Sequence, residues 1–135
     1  LPGLAPEQVA YIPNDDSRLE AEGFLKGLQE ELIDVVVRRE ILKARIRKRL
    51  AGDTPEDVDE LLDRLRKLPT RDEFSLQLNK AKNRLISDNP ALQQQIDAMF
   101  QKTEVLLGGQ LDPEEINQVS LEVSRAKQGA KPATP

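Results

Sequence analysis

The chain has no cysteine and no histidine. The first absence excludes disulfides, thiolate nucleophiles and cysteine metal sites, and it leaves the redox character of the compartment open. The second removes the usual general base near neutral pH and the commonest transition-metal ligand, so Ser-His-Asp and Cys-His arrangements are ruled out. Tryptophan is absent too, and Tyr11, Phe24, Phe74 and Phe100 are the only aromatics. That is too few for base-stacking platforms or an aromatic ligand cage. Aliphatic runs such as Val35 to Val37 fall far short of the roughly 20 residues a membrane-spanning helix needs.

What remains is a chain of 135 residues, about one domain. Lys and Arg together number 20 against 24 Asp and Glu, so the net charge is -4 and any basic surface must be local. One third of the residues are charged and leucine leads the apolar set, a balance suited to long solvated helices in a soluble protein. The sequence starts at Leu1, which reads as a processed or excised piece, with the cytoplasm the first expectation for its location.

The nine prolines organise the chain. Pro2, Pro6 and Pro13 fall in an aperiodic stretch, so residues 1–16 read as an extended arm or linker in which Tyr11 is an apolar hook. Pro132 and Pro135 fall in a small, polar tail, residues 128–135, expected to be disordered. The other four mark helix entries, where a missing N–H costs nothing. Thr54-Pro55-Glu56-Asp57, Asp88-Asn89-Pro90 and Asp112-Pro113-Glu114-Glu115 each place a capping side chain ahead of proline. Thr70-Arg71-Asp72-Glu73, after Pro69, and Ser17-Arg18-Leu19-Glu20 have the form of capping boxes.

Periodicity agrees with these starts. Leu25, Leu28, Leu32, Val35, Leu42, Ile46 and Leu50 follow a three-four spacing interrupted by Arg39, which predicts a long amphipathic helix over about 17–51. Gly23 and Gly27 weaken its first third, where a kink or a late start is expected. Four shorter helices are expected at about 55–68, 71–87, 90–107 and 113–127, with Gly108-Gly109 ending the fourth. No segment alternates at period two, so the fold class is all-α: a helical bundle or helical hairpin, with 17–127 as a single helical domain.

Two charged constellations stand out. Arg38, Arg39, Lys43, Arg45, Arg47, Lys48 and Arg49 are answered locally by Glu40 alone, a pattern that could track phosphates. The next segment, however, supplies Asp53, Glu56, Asp57, Asp59, Glu60 and Asp63, expected to face those bases across a tight turn and to complement each helix dipole. The second constellation, Glu30, Glu31 and Asp34 with Glu56, Asp59, Glu60 and Asp63, resembles the paired acidic motifs of all-α nucleotide pyrophosphohydrolases. The resemblance implies Mg²⁺-dependent hydrolysis, and the chain departs from it by placing Asp34 where that family favours Glu. Carboxylates on a solvated face account for the same residues, and no family's motifs map onto the chain residue by residue.

The reading these features favour is a non-enzymatic helical interaction module with no cofactor and no metal, in an adaptor, assembly or chaperone-like role. Its partner is another protein or itself, in a coiled-coil-like pairing or oligomer. Four short helices are expected to leave part of the long one uncovered. The docking residues expected are Leu28, Leu32, Val35, Leu42 and Ile46, with Arg39 in the seam setting register or partner choice. Nucleic-acid binding through the seven bases is the alternative, and the metal-dependent hydrolase a remote third.

Overall fold

A computed structural model of the chain describes residues 13–52 and 58–130, with side chains from Asp16 to Gly129 outside that gap. The described residues are helical and joined by short turns, with no strand among them. They form α1 (Pro13–Ala51), α2 (Val58–Lys67), α3 (Arg71–Asp88), a single 3-10 turn (Pro90–Leu92), α4 (Gln93–Gln110) and α5 (Pro113–Ala130).

The first helix starts about one turn earlier than the Ser17 box implied and runs without a break through Gly23 and Gly27. Neither glycine is asked to turn the chain: both are exposed, and a Cβ on either would meet nothing within 4 Å. The expected kink is absent because the helix is held by the leucines on its opposite face, which outweigh about 1 kcal/mol of propensity per glycine. At 1.5 Å per residue α1 is a rod of about 58 Å.

Two of the expected caps form. Thr70 is extended, and its hydroxyl accepts the Glu73 N–H at 3.2 Å to open α3. Asp112 accepts the Glu114 N–H at 3.0 Å ahead of Pro113. The Thr54 cap and Tyr11 lie outside the described residues. Gly108-Gly109 does not end the fourth helix, which continues to Gln110, and no glycine among the described residues adopts positive φ. The stop falls at Leu111, which is buried, and Pro113 then begins a new helix, so burial and the proline set the boundary. At the two ends, Pro13 to Asp16 and Gln128 to Ala130 are helical where arm and tail were expected.

Every other helix packs against α1. Phe24 stacks on Phe100 with ring centroids 6.0 Å apart, and Gln29 donates to the Thr103 hydroxyl at 3.1 Å. Later residues of α1 thus meet later residues of α4, and the two helices run in the same direction. Arg39 meets Glu115 and Arg47 meets Glu122, so α5 runs the same way farther along the rod. By contrast, Arg84 near the end of α3 pairs with Glu20, while Thr70 and Arg71 at its start share a cavity with Arg39. That direction is opposite to α1. Asp59 pairs with Lys127 while Leu65 lies by Ile116, which sets α2 antiparallel to α5.

The architecture is therefore a long three-rod bundle. One rod is α1, the second is α2 followed by α3, and the third is α4 followed by α5. Two cores lie end to end along it. Ala21, Leu25, Leu28, Leu32 and Val35 pack with Phe74, Leu78, Leu85, Ile96, Phe100 and Leu107 in the first. Leu42 and Ile46 pack with Val58, Leu61, Leu62, Leu65, Val119 and Val123 in the second. Leu68 touches both, at the level where the second and third rods are broken.

Candidate interaction surface

The five residues expected to dock a partner are all inside the bundle. Leu28, Leu32, Val35, Leu42 and Ile46 are each at most 8% exposed. The expectation that short helices leave this stripe open is corrected by the way they are arranged. Helices α2 with α3, and α4 with α5, follow one another along the rod, so two short helices on each side cover a length that one could not.

The basic segment is dispersed in the same way. Arg39 and Lys43 are buried. The Arg39 guanidinium donates to the Asp112 carbonyl, and its Nε lies 3.5 Å from Glu115; Lys43 reaches Glu40 at 2.9 Å and Glu115 at 3.2 Å. Arg47 makes a two-bond pair with Glu122 at 2.9 and 3.1 Å. Those hydrogen bonds hold the Glu122 carboxyl below the ordinary carboxylate range and raise Arg47 further. Arg38 pairs with Asp34 at 3.2 Å, and Arg49 is engaged as well. Arg45 and Lys48 make no ion pair or hydrogen bond among the described residues.

Of the acids expected to answer the bases, Asp53, Glu56 and Asp57 lie outside the described residues, and Asp59, Glu60 and Asp63 pair elsewhere. The acids that meet Arg38, Arg39, Lys43 and Arg47 come from α5 and from α1 itself, whereas in α2 Asp59 pairs with Lys127, Glu60 with Arg64 and Asp63 with Lys67. Arg39 is accordingly not a seam residue facing a partner. It sits between the two cores, where the breaks in the second and third rods meet around a cavity of 220 Å³ lined by Leu65, Leu68, Thr70, Arg71 and Pro113 among others. The Asp112 carbonyl it reaches also accepts the Glu115 N–H at 3.2 Å, so Arg39 adds a second donor to the residue that opens α5.

What α1 does present to solvent is a second apolar stripe. Ile33 is 62% exposed, Val37 50% and Ile41 44%, and their i, i+4, i+8 spacing places them on one face, opposite the buried leucines. Leu106 on α4 adds to it, closing a groove of 340 Å³ with Leu32, Ile33, Val36, Val37 and Gln110. On the other flank a second groove is lined by Arg38, Ile41, Leu42, Arg45, Arg64 and Leu68. Ala44, also exposed, extends the stripe by one turn. Leu19 falls on the same face of α1 two heptads before Ile33, whereas Leu76 and Leu121 lie on other helices and carry no comparable run. Sequence reading missed the stripe because the 3-4 pattern anchored at Leu25 selects the other face. The signal present was the strict four-residue repeat of Ile33, Val37 and Ile41.

Among the described residues no three carboxylates come together in a way that could hold a metal ion, and Glu56 lies outside them. No described helix is long and apolar enough to cross a membrane. No family model, curated protein or solved structure matches the chain.

Proposed function

We propose that the chain is a non-enzymatic helical interaction module that docks a protein on the outer face of α1. The observation that carries this reading is the contiguous stripe of Ile33, Val37 and Ile41, extended by Leu106, on a helix whose other face already fills the chain's own cores. Single exposed leucines need no explanation, but three β-branched residues in register, with grooves on both sides, form a linear apolar ridge suited to another helix. Chemistry offers little competition: the chain has no histidine or cysteine, and most of the bases expected to track phosphates are engaged within the fold. The role that fits is assembly or adaptor work, in which affinity comes from a rigid helix face.

A photoreactive side chain introduced at Val37 tests this reading, with Lys80 on an exposed face of α3 as the control position. In cells that make the protein, illumination is expected to give a protein adduct from position 37 and none from position 80. The absence of any protein adduct at position 37 overturns the reading.

A further inference from the structure

The cavity at the junction of the two cores differs from the surface grooves in that all three rods build it. Arg39 comes from α1, Leu65 from α2, Arg71 from the start of α3, and Ile116 and Asn117 from α5. Exposed Thr70 and Asn117 stand on its rim, so it opens to solvent there. The rest of the wall is mostly aliphatic, and its two charged residues are both arginines: no carboxylate lines it. Glu115, the acid that Arg39 meets, is shared with Lys43 and stands outside the lining, and Asp112 turns its carboxylate to the Glu114 N–H. Arg71 makes no ion pair or hydrogen bond among the described residues. The Arg39 side chain is 5% exposed and donates from Nη2 to the Asp112 carbonyl, yet its buried Nε donates to nothing among the described residues. A buried donor without an acceptor is uncommon in a folded chain and calls for one from outside it.

An aliphatic wall that carries two cations and no counter-charge selects a ligand with matching halves. A carboxylate suits an arginine, whose planar fork takes both oxygens in parallel hydrogen bonds. The first turns of α3 and α5 border the cavity as well, and helix starts add partial positive charge. An inorganic anion would leave Leu65, Leu68, Leu111 and Ile116 against water, and a neutral apolar molecule would leave the arginines without an acceptor. Size limits the apolar half. A cavity of about 150 Å³ takes benzene, and drug-sized ligands fill roughly 300 Å³ or more, so 220 Å³ admits one ring or a short chain together with its carboxylate. We propose that this cavity binds a small apolar monocarboxylate, its carboxylate held by Arg71 and Arg39 and its body against those four aliphatic side chains. None of Ile33, Val37 and Ile41 lines the cavity, so this site and the docking face stand or fall separately.

Titration of the purified chain with phenylacetate and with hexanoate, followed by nitrogen–proton correlation spectra of the backbone amides, tests the proposal. Saturable shifts are expected at Leu65, Arg71, Leu111 and Ile116, with half-saturation at about 0.1 to 1 mM for ligands of this size. Phenylacetamide keeps the ring and loses the charge, and it is expected to bind at least about tenfold more weakly. Acetate keeps the charge and loses the body, and it is expected to give no saturable shift below about 10 mM. Arg71→Gln is expected to weaken phenylacetate about tenfold without lowering the melting temperature, since Arg71 is half-buried and has no partner among the described residues to lose. Failure of both acids to shift the lining up to about 10 mM, phenylacetamide binding as well as phenylacetate, or an Arg71→Gln variant that binds like the wild type overturns the proposal. Acetate binding as tightly as phenylacetate overturns it too, because the apolar wall then contributes nothing.

Discussion

Replacing Glu115 by glutamine removes the one carboxylate that two buried cations of α1 share. Arg39 Nε lies 3.5 Å and Lys43 Nζ 3.2 Å from its two oxygens, while the side chains of the cations are 5% and 8% exposed. At an effective dielectric constant near 20, each attraction is about 5 kcal/mol gross, and desolvation offsets most of it. Breaking a fully buried pair costs about 3 to 5 kcal/mol. Three features reduce the figure here: Glu115 is 38% exposed, Lys43 keeps Glu40, and Arg39 keeps the Asp112 carbonyl. The expected cost of Glu115→Gln is therefore about 2 kcal/mol, a fall in melting temperature of roughly 8 °C for a domain of this size. Urea unfolding followed by far-ultraviolet circular dichroism measures it. Arg39→Met combined with Glu115→Gln should then be less damaging than the sum of the singles by at least about 1 kcal/mol, because the pair acts as a unit. A single-variant cost below about 0.5 kcal/mol, or strict additivity, would refute the idea that this carboxylate holds the junction of the two cores.

The Arg47 and Glu122 pair yields a pH-dependent expectation. Its hydrogen bonds lower the carboxyl's pKa in the folded state, so the contribution to stability is present above the ordinary carboxylate value and is lost as pH falls through the lowered one. The gap in melting temperature between wild type and Glu122→Gln should be open at pH 7 and close near pH 3, and it should stay within about 1 kcal/mol because both side chains are partly exposed. Neighbouring residues on α1 should behave in opposite ways. Leu32→Ala is expected to cost about 2 to 5 kcal/mol, and Ile33→Ala to leave monomer stability within about 0.5 kcal/mol, as denaturant titration would read.

Two helix starts were legible from local signals, whereas the equally local Ser17 box lies inside a helix that already begins at Pro13. Thr70 with Glu73 and Asp112 with Pro113 work through atoms three or fewer residues apart, and both caps form as their chemistry implies. Boundaries decided by tertiary burial were not legible. Gly108-Gly109 has the composition of a helix stop, yet the chain holds helix through it because Leu107 and Leu111 on either side are both buried. The same limit explains the candidate site. Both faces of α1 carry aliphatic residues, and periodicity identifies two stripes without saying which one its own helices will cover. The longer and leucine-rich stripe was the natural choice for the interior, and reading it as partly uncovered required knowing how four short helices are laid along a rod.

That layout also explains an otherwise expensive arginine in the apolar stripe. A three-rod bundle about 58 Å long could be built from three unbroken helices. Here Pro69 interrupts the second rod and Pro113 the third. The two breaks fall at the same level, and α1, the only continuous rod, places Arg39 there. The Arg39 guanidinium donates to the Asp112 carbonyl, which also accepts the Glu115 N–H, and its charge lies 3.5 Å from the Glu115 carboxylate, so it ties α1 to the start of α5 as a leucine could not. The interruption of the hydrophobic spacing at Arg39 is thus the sequence-level mark of the junction. Because that arginine is committed inside the fold, contact specificity on the outer face falls to residues the bundle leaves open.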